Sequence, residues 1–341
     1  MRSYDWIECG HGDLPESLKT EEIPMQQHPT YGQACTALGG QARMFALSAK
    51  ATARSALASA LVLERRWPGL GSTAMLARGP VWHPDLSIPA RSAALQHLVT
   101  HLERSYRVVI ATPDPLMSSD TRDPLQGTGR LALFTGGVVA HLPLTPDPQG
   151  MRNALHGKWR NRLVQAERRG LDIRMGPLPL DPDHWLLTAE AAQARARRYR
   201  RLPPAFALAW RKAGGARSCL LAEAWQDGAP AAGMLFLQHG NGASYHTGWA
   251  GNAGRAADAH RVLLFQAALC LAAKGCTRID LGALDTVNTP GLARFKLGAG
   301  ADCVHLGATR ITAPGTRWVA RLFDKTAQAQ AQSPSSNHIV G

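Results

Sequence analysis

Apolar and polar positions change period several times along this chain, and each change marks an element. Residues 233–239 alternate with the two-residue period of a strand, and Gly240-Asn241-Gly242 supplies a tight hairpin turn. Residues 243–249 return as the partner strand. A long apolar run from Asp258, a good N-cap, to Lys274 predicts a helix that Gly275 is placed to stop. Residues 277–284 read as a buried strand, 289–296 as a loop entering a short helix, and 303–312 as one further strand.

The first half states a similar plan. Strand-like segments at 41–47 and 56–63 precede Trp67-Pro68-Gly69-Leu70-Gly71, and a third follows at 73–76. Residues 89–105 form an amphipathic helix with Leu95, Leu98, Val99 and Leu102 on one face. A strand rich in β-branched residues follows at 106–112, and another at 129–144, bent at Gly136-Gly137. The second half runs strand 219–225, turn Gln226-Asp227-Gly228, hairpin, helix, strand, loop and strand. The residues themselves do not repeat, so the repeat is one of architecture.

A helix opening at Asp147-Pro148 and closing at Gly170 joins the halves, with Met151, Leu155, Trp159 and Leu163 as its buried stripe. A second basic helix covers 182–201. The expected organisation is an irregular segment at 1–22, domains at 23–150 and 151–324, and a disordered tail at 325–341.

Composition narrows the class. With 341 residues, 45% hydrophobic and 18% charged, the chain can bury two medium-sized cores. No apolar run reaches the roughly 18 residues a membrane span needs. Asp5, Glu8 and Asp13 replace the basic and then apolar start of a secretory signal, so a cytoplasmic protein is expected. The six cysteines lack CxxC spacing and the 13 histidines lack an HExxH pair. Reduced core cysteines and no metal are therefore expected. The net charge of +13 is unevenly placed. Residues 1–150 hold 13 basic and 13 acidic residues, whereas 151–341 hold 25 and 12. Such asymmetry suits a phosphate-bearing partner, although arginine-rich composition alone supplies part of it.

Three groups of residues carry a resemblance. Tyr245, Asp280-Leu281-Gly282 and Gly291-Leu292-Ala293-Arg294-Phe295-Lys296 resemble the C-terminal signature of the FemAB peptidoglycan-bridge aminoacyltransferases, relatives of the GNAT N-acyltransferases. Arg78-Gly79-Pro80-Val81-Trp82 is similar to the family's RGP turn. Lys158-Trp159-Arg160-Asn161 with Gln165–Leu171 is similar to its central basic helix. The matches keep family order from about residue 25 to 313. The resemblance implies an α+β fold of two tandem GNAT-like domains with mixed sheets.

N-acyl transfer needs a pocket for the activated acyl group, an amine in line with its carbonyl, donors for the oxyanion and a route for the amine proton. In open α/β sheets such sites lie at the carboxyl ends of diverging strands, which directs attention to 280–284 and the loop beyond. By resemblance, Lys296 is expected at the donor-side reaction centre, where its ammonium would stabilise the oxyanion or the departing ribose oxygen. Asp285 is placed to accept the amine proton, or alternatively to cap a turn. Asp280 is placed to orient a neighbour or pair with a buried arginine. Only one of Tyr245 and His246 can face the cleft, and Tyr245 holds the family position. Lys158 and Arg160, with Arg195, Arg197, Arg198 and Arg201, are the candidate phosphate-binding cations, some of the second cluster also serving a helix end.

The expected reaction is amide formation on an amine of a cell-envelope precursor that bears phosphate, with peripheral contact to the inner membrane face. The donor is expected to be aminoacyl-tRNA, used as a co-substrate with no permanently bound cofactor. Loop 248–255 lacks the glycine spacing of a coenzyme A pyrophosphate cradle, and Asp258 would repel phosphate. The alternatives are an acyl-CoA enzyme acting on an amino sugar or small amine, and a non-catalytic tRNA- or precursor-binding module.

Overall fold

The structure is a computed structural model that describes residues 5–10, 18, 23–48, 56–69, 71–116, 123–316 and 318–320. The first half contributes β1 (Asp5–Cys9), α1 (Pro29–Ala37), β2 (Gln41–Ser48), β3 (Ala56–Trp67), β4 (Gly71–Ala77), β5 (Val81–Trp82), α2 (Ile88–Ser105), β6 (Val108–Thr112), β7 (Leu131–Phe134) and β8 (Val138–Pro143). Strands β1 to β4 form an antiparallel series. Helix α2 then crosses over so that β6 lies parallel to β4. Its expected face is the buried one: Leu95, Leu98, Val99 and Leu102 are almost wholly enclosed against this sheet. The first 22 residues are not all irregular, because Asp5–Cys9 adds an edge strand to β2.

The connecting helix is two helices, α3 (Pro148–Asn153) and α4 (Gly157–Glu167). Asp147 caps α3 by accepting from the amides of Gln149 and Gly150 at 3.0 and 2.8 Å. The expected stripe is nevertheless continuous across the break, with Met151, Leu155, Trp159 and Leu163 all buried. The chain bends at 154–156, where the His156 amide donates to the Gly298 carbonyl instead of continuing the helix. β9 (Asp172–Gly176), α5 (Trp185–Arg197) and α6 (Pro204–Gly214) follow. Helix α5 stops short of 201 because Arg198 adopts a left-handed backbone, φ 55°.

The remaining elements are β10 (Cys219–Gln226), β11 (Ala229–His239), β12 (Gly242–Ala250), α7 (Asn252–Ala256), α8 (Ala259–Ala273), β13 (Arg278–Ala283), α9 (Pro290–Gly298), β14 (Asp302–His305) and β15 (Thr309–Thr312). Helix α8 buries Val262, Leu263, Leu264, Phe265 and Leu271 against the sheet, and returns β13 parallel to β12. This is the architectural repeat expected from the pattern: each sheet contains one parallel pair joined by a crossover helix. Of the cysteines expected in the core, Cys219 and Cys276 are buried while Cys303 is exposed. Among the described residues, no helix is long and apolar enough to cross a membrane.

The halves do not separate at residue 150. One sheet runs β1-β2-β3-β4-β6-β15-β7, with β5 on β3, and the other β14-β8-β13-β12-β11-β10-β9. Strand β8, from the first half, thus lies inside the second sheet, and β15, from the end of the chain, lies inside the first. The single strand expected at 129–144 breaks at Gly136-Gly137 because the chain changes sheets there. The single strand expected at 303–312 breaks for the same reason at 306–308. The two crossings touch, the Leu306 amide donating to the Gly137 carbonyl at 2.8 Å. A β-carbon on Gly136 would collide with the Leu306 carbonyl oxygen, and one on Gly307 with that of Pro113. Only backbone fits at the crossing.

Gly136→Ala and Gly307→Ala are each expected to destabilise the protein by roughly 1–3 kcal/mol through overpacking. Gly137→Ala meets nothing within 4 Å and should stay within about 0.5 kcal/mol of wild type. Denaturant unfolding of the three variants checks this, and equal stability of all three would refute the role given to the crossing.

Candidate active site

Strands β12 and β13 pair only where Gly242, Ala243 and Ser244 stand opposite Arg278, Ile279 and Asp280. Beyond that point they part. On the other edge of β12 the register with β11 jumps, Leu235 facing Thr247 and Phe236 facing Tyr245, so His246 is the extra residue of a β-bulge. The bulge bends β12 where it leaves β13, and the gap so opened is closed by α9. Trp159 fixes that helix by donating from its indole nitrogen to the Phe295 carbonyl at 3.1 Å and packing against the Phe295 ring. A cavity of about 200 Å³ remains, lined by Tyr245, Arg255, Arg261, Leu281, Phe295 and Lys296 among others.

Lys296 is only 5% exposed. Its ammonium donates to the Ala283 carbonyl at 2.7 Å, at the carboxyl end of β13. Burial lowers its pKa, and the nearby Asp280 carboxylate works in the opposite direction. The side chain therefore presents a fixed cation to the cavity wall, with one of its three N–H donors spent on the Ala283 carbonyl.

Asp280 is the junction between the two sheets. Its Oδ2 lies 3.1 Å from a terminal nitrogen of Arg78, and its Oδ1 accepts from the Gly282 amide at 2.7 Å. Arg78 comes from the end of β4, with a left-handed backbone of φ 60°, and its Nε also reaches both oxygens of Asp114 at 2.8 and 3.0 Å. His141 of β8 places Nε2 3.6 Å from Asp280 Oδ2, beyond hydrogen-bond distance. Burial alone would raise the Asp280 pKa. The His141 and Arg78 side chains and the Gly282 amide outweigh it, holding the carboxyl well below the usual range. Arg78, Asp114 and His141 also line a larger cleft of about 640 Å³, between the sheets and on the opposite face of β13 from α8.

The sequence-derived candidates divide clearly. Lys296, Tyr245 and Asp280 meet at this site, and Asp280 does pair with a buried arginine. Tyr245 faces the cavity, where burial raises its phenol pKa and keeps it protonated. His246 faces away, against Phe206, and burial with the Arg201 charge holds its pKa at about 4. Asp285 is not placed as a base. Its carboxylate accepts from the Val287 and Asn288 amides and the Asn288 side chain, which lowers its pKa and spends its lone pairs on a turn.

Arg195, Arg197 and Arg198 are exposed at the end of α5 and Lys158 is exposed on α4, while Arg160 is half-buried. Arg201 is not a free cation, because its Nε is held by the buried Glu190 at 2.8 Å. The repulsive charge assigned to Asp258 is also corrected. Arg162 pairs with both its oxygens at 2.8 and 2.9 Å, and Arg261 approaches at 3.3 Å. Sequence reasoning missed Asp114, His141 and Arg261. Arg78 was visible in its RGP turn, but its partners lie 36 and 202 residues away.

No family model matches this chain, and no curated protein sequence matches it. Its fold is nonetheless that of solved structures. FemX is similar over 94% of this chain and 100% of its own, with a TM-score of 0.74 at 13% identity. A tandem GNAT protein from the clavulanic acid biosynthesis pathway covers 92% of this chain and 99% of its own, with a TM-score of 0.54 at 11% identity. The C-terminal domain of an Agrobacterium fabrum protein described as a lysylphosphatidylglycerol synthetase covers 91% and 95%, at 0.53 and 15%. The chain therefore carries two tandem GNAT-like domains in mixed sheets, as the resemblance implied.

Arg78→Met should cost on the order of 3 kcal/mol, since it removes a buried cation from two half-buried carboxylates. Asp280 has a folded pKa below its unfolded one. Its contribution is complete above about pH 5 and is lost as pH falls through the folded value. Unfolding free energies from pH 7 to 2 should therefore show wild type declining below about pH 4 more steeply than Asp280→Asn. Parallel curves would overturn this account of the carboxylate.

Proposed function

We propose that this chain is an N-acyltransferase that joins an activated acyl group to an amine of a cell-envelope precursor, with aminoacyl-tRNA as the donor. The observation that carries the reading is the buried Lys296 ammonium at the end of β13, where the strands part around a cavity. An ester carbonyl seated there would develop negative charge on oxygen during attack. A preoriented ammonium in a water-poor wall favours that charge more than the ground state. The larger cleft across β13 gives the amine a separate approach.

Two observations favour an aminoacyl-tRNA donor. The glycines of loop 248–255 serve packing rather than a phosphate cradle. A β-carbon on Gly251 would press on the Trp249 ring, and one on Gly254 on the Ala231 carbonyl. The exposed Arg195, Arg197 and Arg198, with Lys158, also give the second domain a cationic surface suited to a polyanion. Acyl-CoA is the second reading. Arg255 and Arg261 line the cavity, and the neutralised Asp258 no longer opposes a diphosphate there. FemX and the described lysylphosphatidylglycerol synthetase share the fold and make an envelope acceptor the reading of choice.

Calorimetry separates the donors. Acetyl-CoA should bind in the high micromolar range or more weakly (roughly −5.5 kcal/mol or less favourable), and a stable aminoacyl-adenosine analogue clearly more tightly. Low-micromolar acetyl-CoA binding without a response to the analogue would transfer the assignment to an acyl-CoA enzyme. Lys296→Met is expected to lower kcat by roughly 10²–10³ with little change in fold, and an unchanged kcat would remove Lys296 from the chemistry. For acceptor-stem RNA, the slope of log affinity against log salt should shrink by roughly 0.7–0.9 for each of Arg195, Arg197 and Arg198 replaced by Ala. Arg201→Ala should leave it nearly unchanged, because that cation is already paired.

A further inference from the structure

His141 stands in the middle of a row of ionisable side chains that no local sequence pattern reveals. Across the ladder its Cα partner is Asp280 on β13 and Asp302 on β14. Directly opposed residues share a face, so the three side chains lie side by side on the cleft face of the sheet. His141 is 9% exposed, and its Nε2 has no hydrogen-bond partner among the described residues. His141 and Asp302 line the 640 Å³ cleft, and Asp280 is held behind them by Arg78.

A primary amine in water is an ammonium ion, and it cannot attack a carbonyl until it loses a proton. We infer that the Asp280–His141–Asp302 row is the acceptor-amine site: Asp302 draws in the ammonium and His141 takes its proton. The inference rests on the acyl-transfer reading of the same site and gives it the base that Asp285 does not provide. Asp280 is the positioning residue, because it faces the His141 ring and favours the imidazolium once formed. The other titratable or charged groups lining the cleft are Arg78, Arg91 and Asp114 from the first half, and Arg278 and His305 on β13 and β14.

The step balances as follows. One N–H bond of the ammonium breaks, and its proton passes to the neutral imidazole, leaving the electron pair on nitrogen. That pair forms the C–N bond at the ester carbonyl, whose π electrons move to the oxygen beside Lys296. As the carbonyl reforms, the C–O bond breaks and the ribose oxygen leaves with a second proton from the amine nitrogen. The imidazolium then returns its proton to water.

Histidine-selective NMR tests the site without any turnover. The ring signal missing in His141→Gln identifies the residue, and its response to pH is the readout. Asp280→Asn removes an anion that favours the imidazolium, so the inflection should move to lower pH. The probe 1,5-diaminopentane should lower it in wild type and have little effect in Asp302→Asn, whose exposed position makes misfolding no obstacle. A ring that does not titrate, or one indifferent to Asp280→Asn and to the diamine, would overturn the ammonium site. In an aminoacyl-transfer assay His141→Gln should lose roughly 10²–10⁴-fold, and added imidazole should restore part of the rate to His141→Gly. Wild-type turnover by His141→Gln would remove it as the base. Failure of the wild-type protein to transfer to any amine would count against the acyl-transfer reading instead, with the NMR result still deciding the ammonium site.

Discussion

A buried guanidinium has to be matched by carboxylates, and the ones that match Arg78 come from both sheets. Asp114 lies beyond the end of β6 in the first sheet, and Asp280 lies on β13 in the second. Either partner alone would neutralise the charge but leave part of the guanidinium's N–H fork without an acceptor in a place water reaches poorly. The strand exchange keeps the three together. Because β8 belongs to the second sheet and β15 to the first, neither sheet can move away without breaking a ladder in the other. Gly136 and Gly307 are the steric condition for that exchange, since a β-carbon at either would collide with backbone of the neighbouring segment.

With the sheets fixed, β13 becomes a wall with different chemistry on its two sides. Leu281 faces the apolar cavity under α8 and α9, whereas Asp280 faces the cleft between the sheets. The two-residue period of a strand enforces this separation. Lys296 bonds to the Ala283 carbonyl where the strand ends and lines the apolar cavity. Water-exposed alternatives such as Asp285 lie outside the geometry.

The arginine-rich composition resolves into different physical roles. Arg78, Arg130 and Arg310 are buried structural cations with carboxylate partners. Arg162 and Arg261 neutralise Asp258 at the start of α8, and Arg201 satisfies the buried Glu190. The exposed group at the end of α5 remains as candidate polyanion contacts. Net charge alone could not sort these classes, because burial and pairing decide which positive charges reach solvent.

Much of the fold was legible before any coordinates. The hairpin at 240–241, the buried faces of α2 and α8, and the parallel pair in each half follow from local periodicity and turn chemistry, which depend on neighbours a few residues apart. Lys296 and Asp280 were legible through a resemblance confined to short motifs. The exchange of β8 and β15, the kink at 154–156 and the row Asp280–His141–Asp302 were not. Each depends on which strand lies beside which, and a shift of one residue would turn every side chain to the other face. The sequence alone therefore determined most of the elements, their order and the ionisable residues Lys296 and Asp280 that the structure brings to one site. Tertiary structure decided which of them meet, because their registry is set by contacts between segments more than a hundred residues apart.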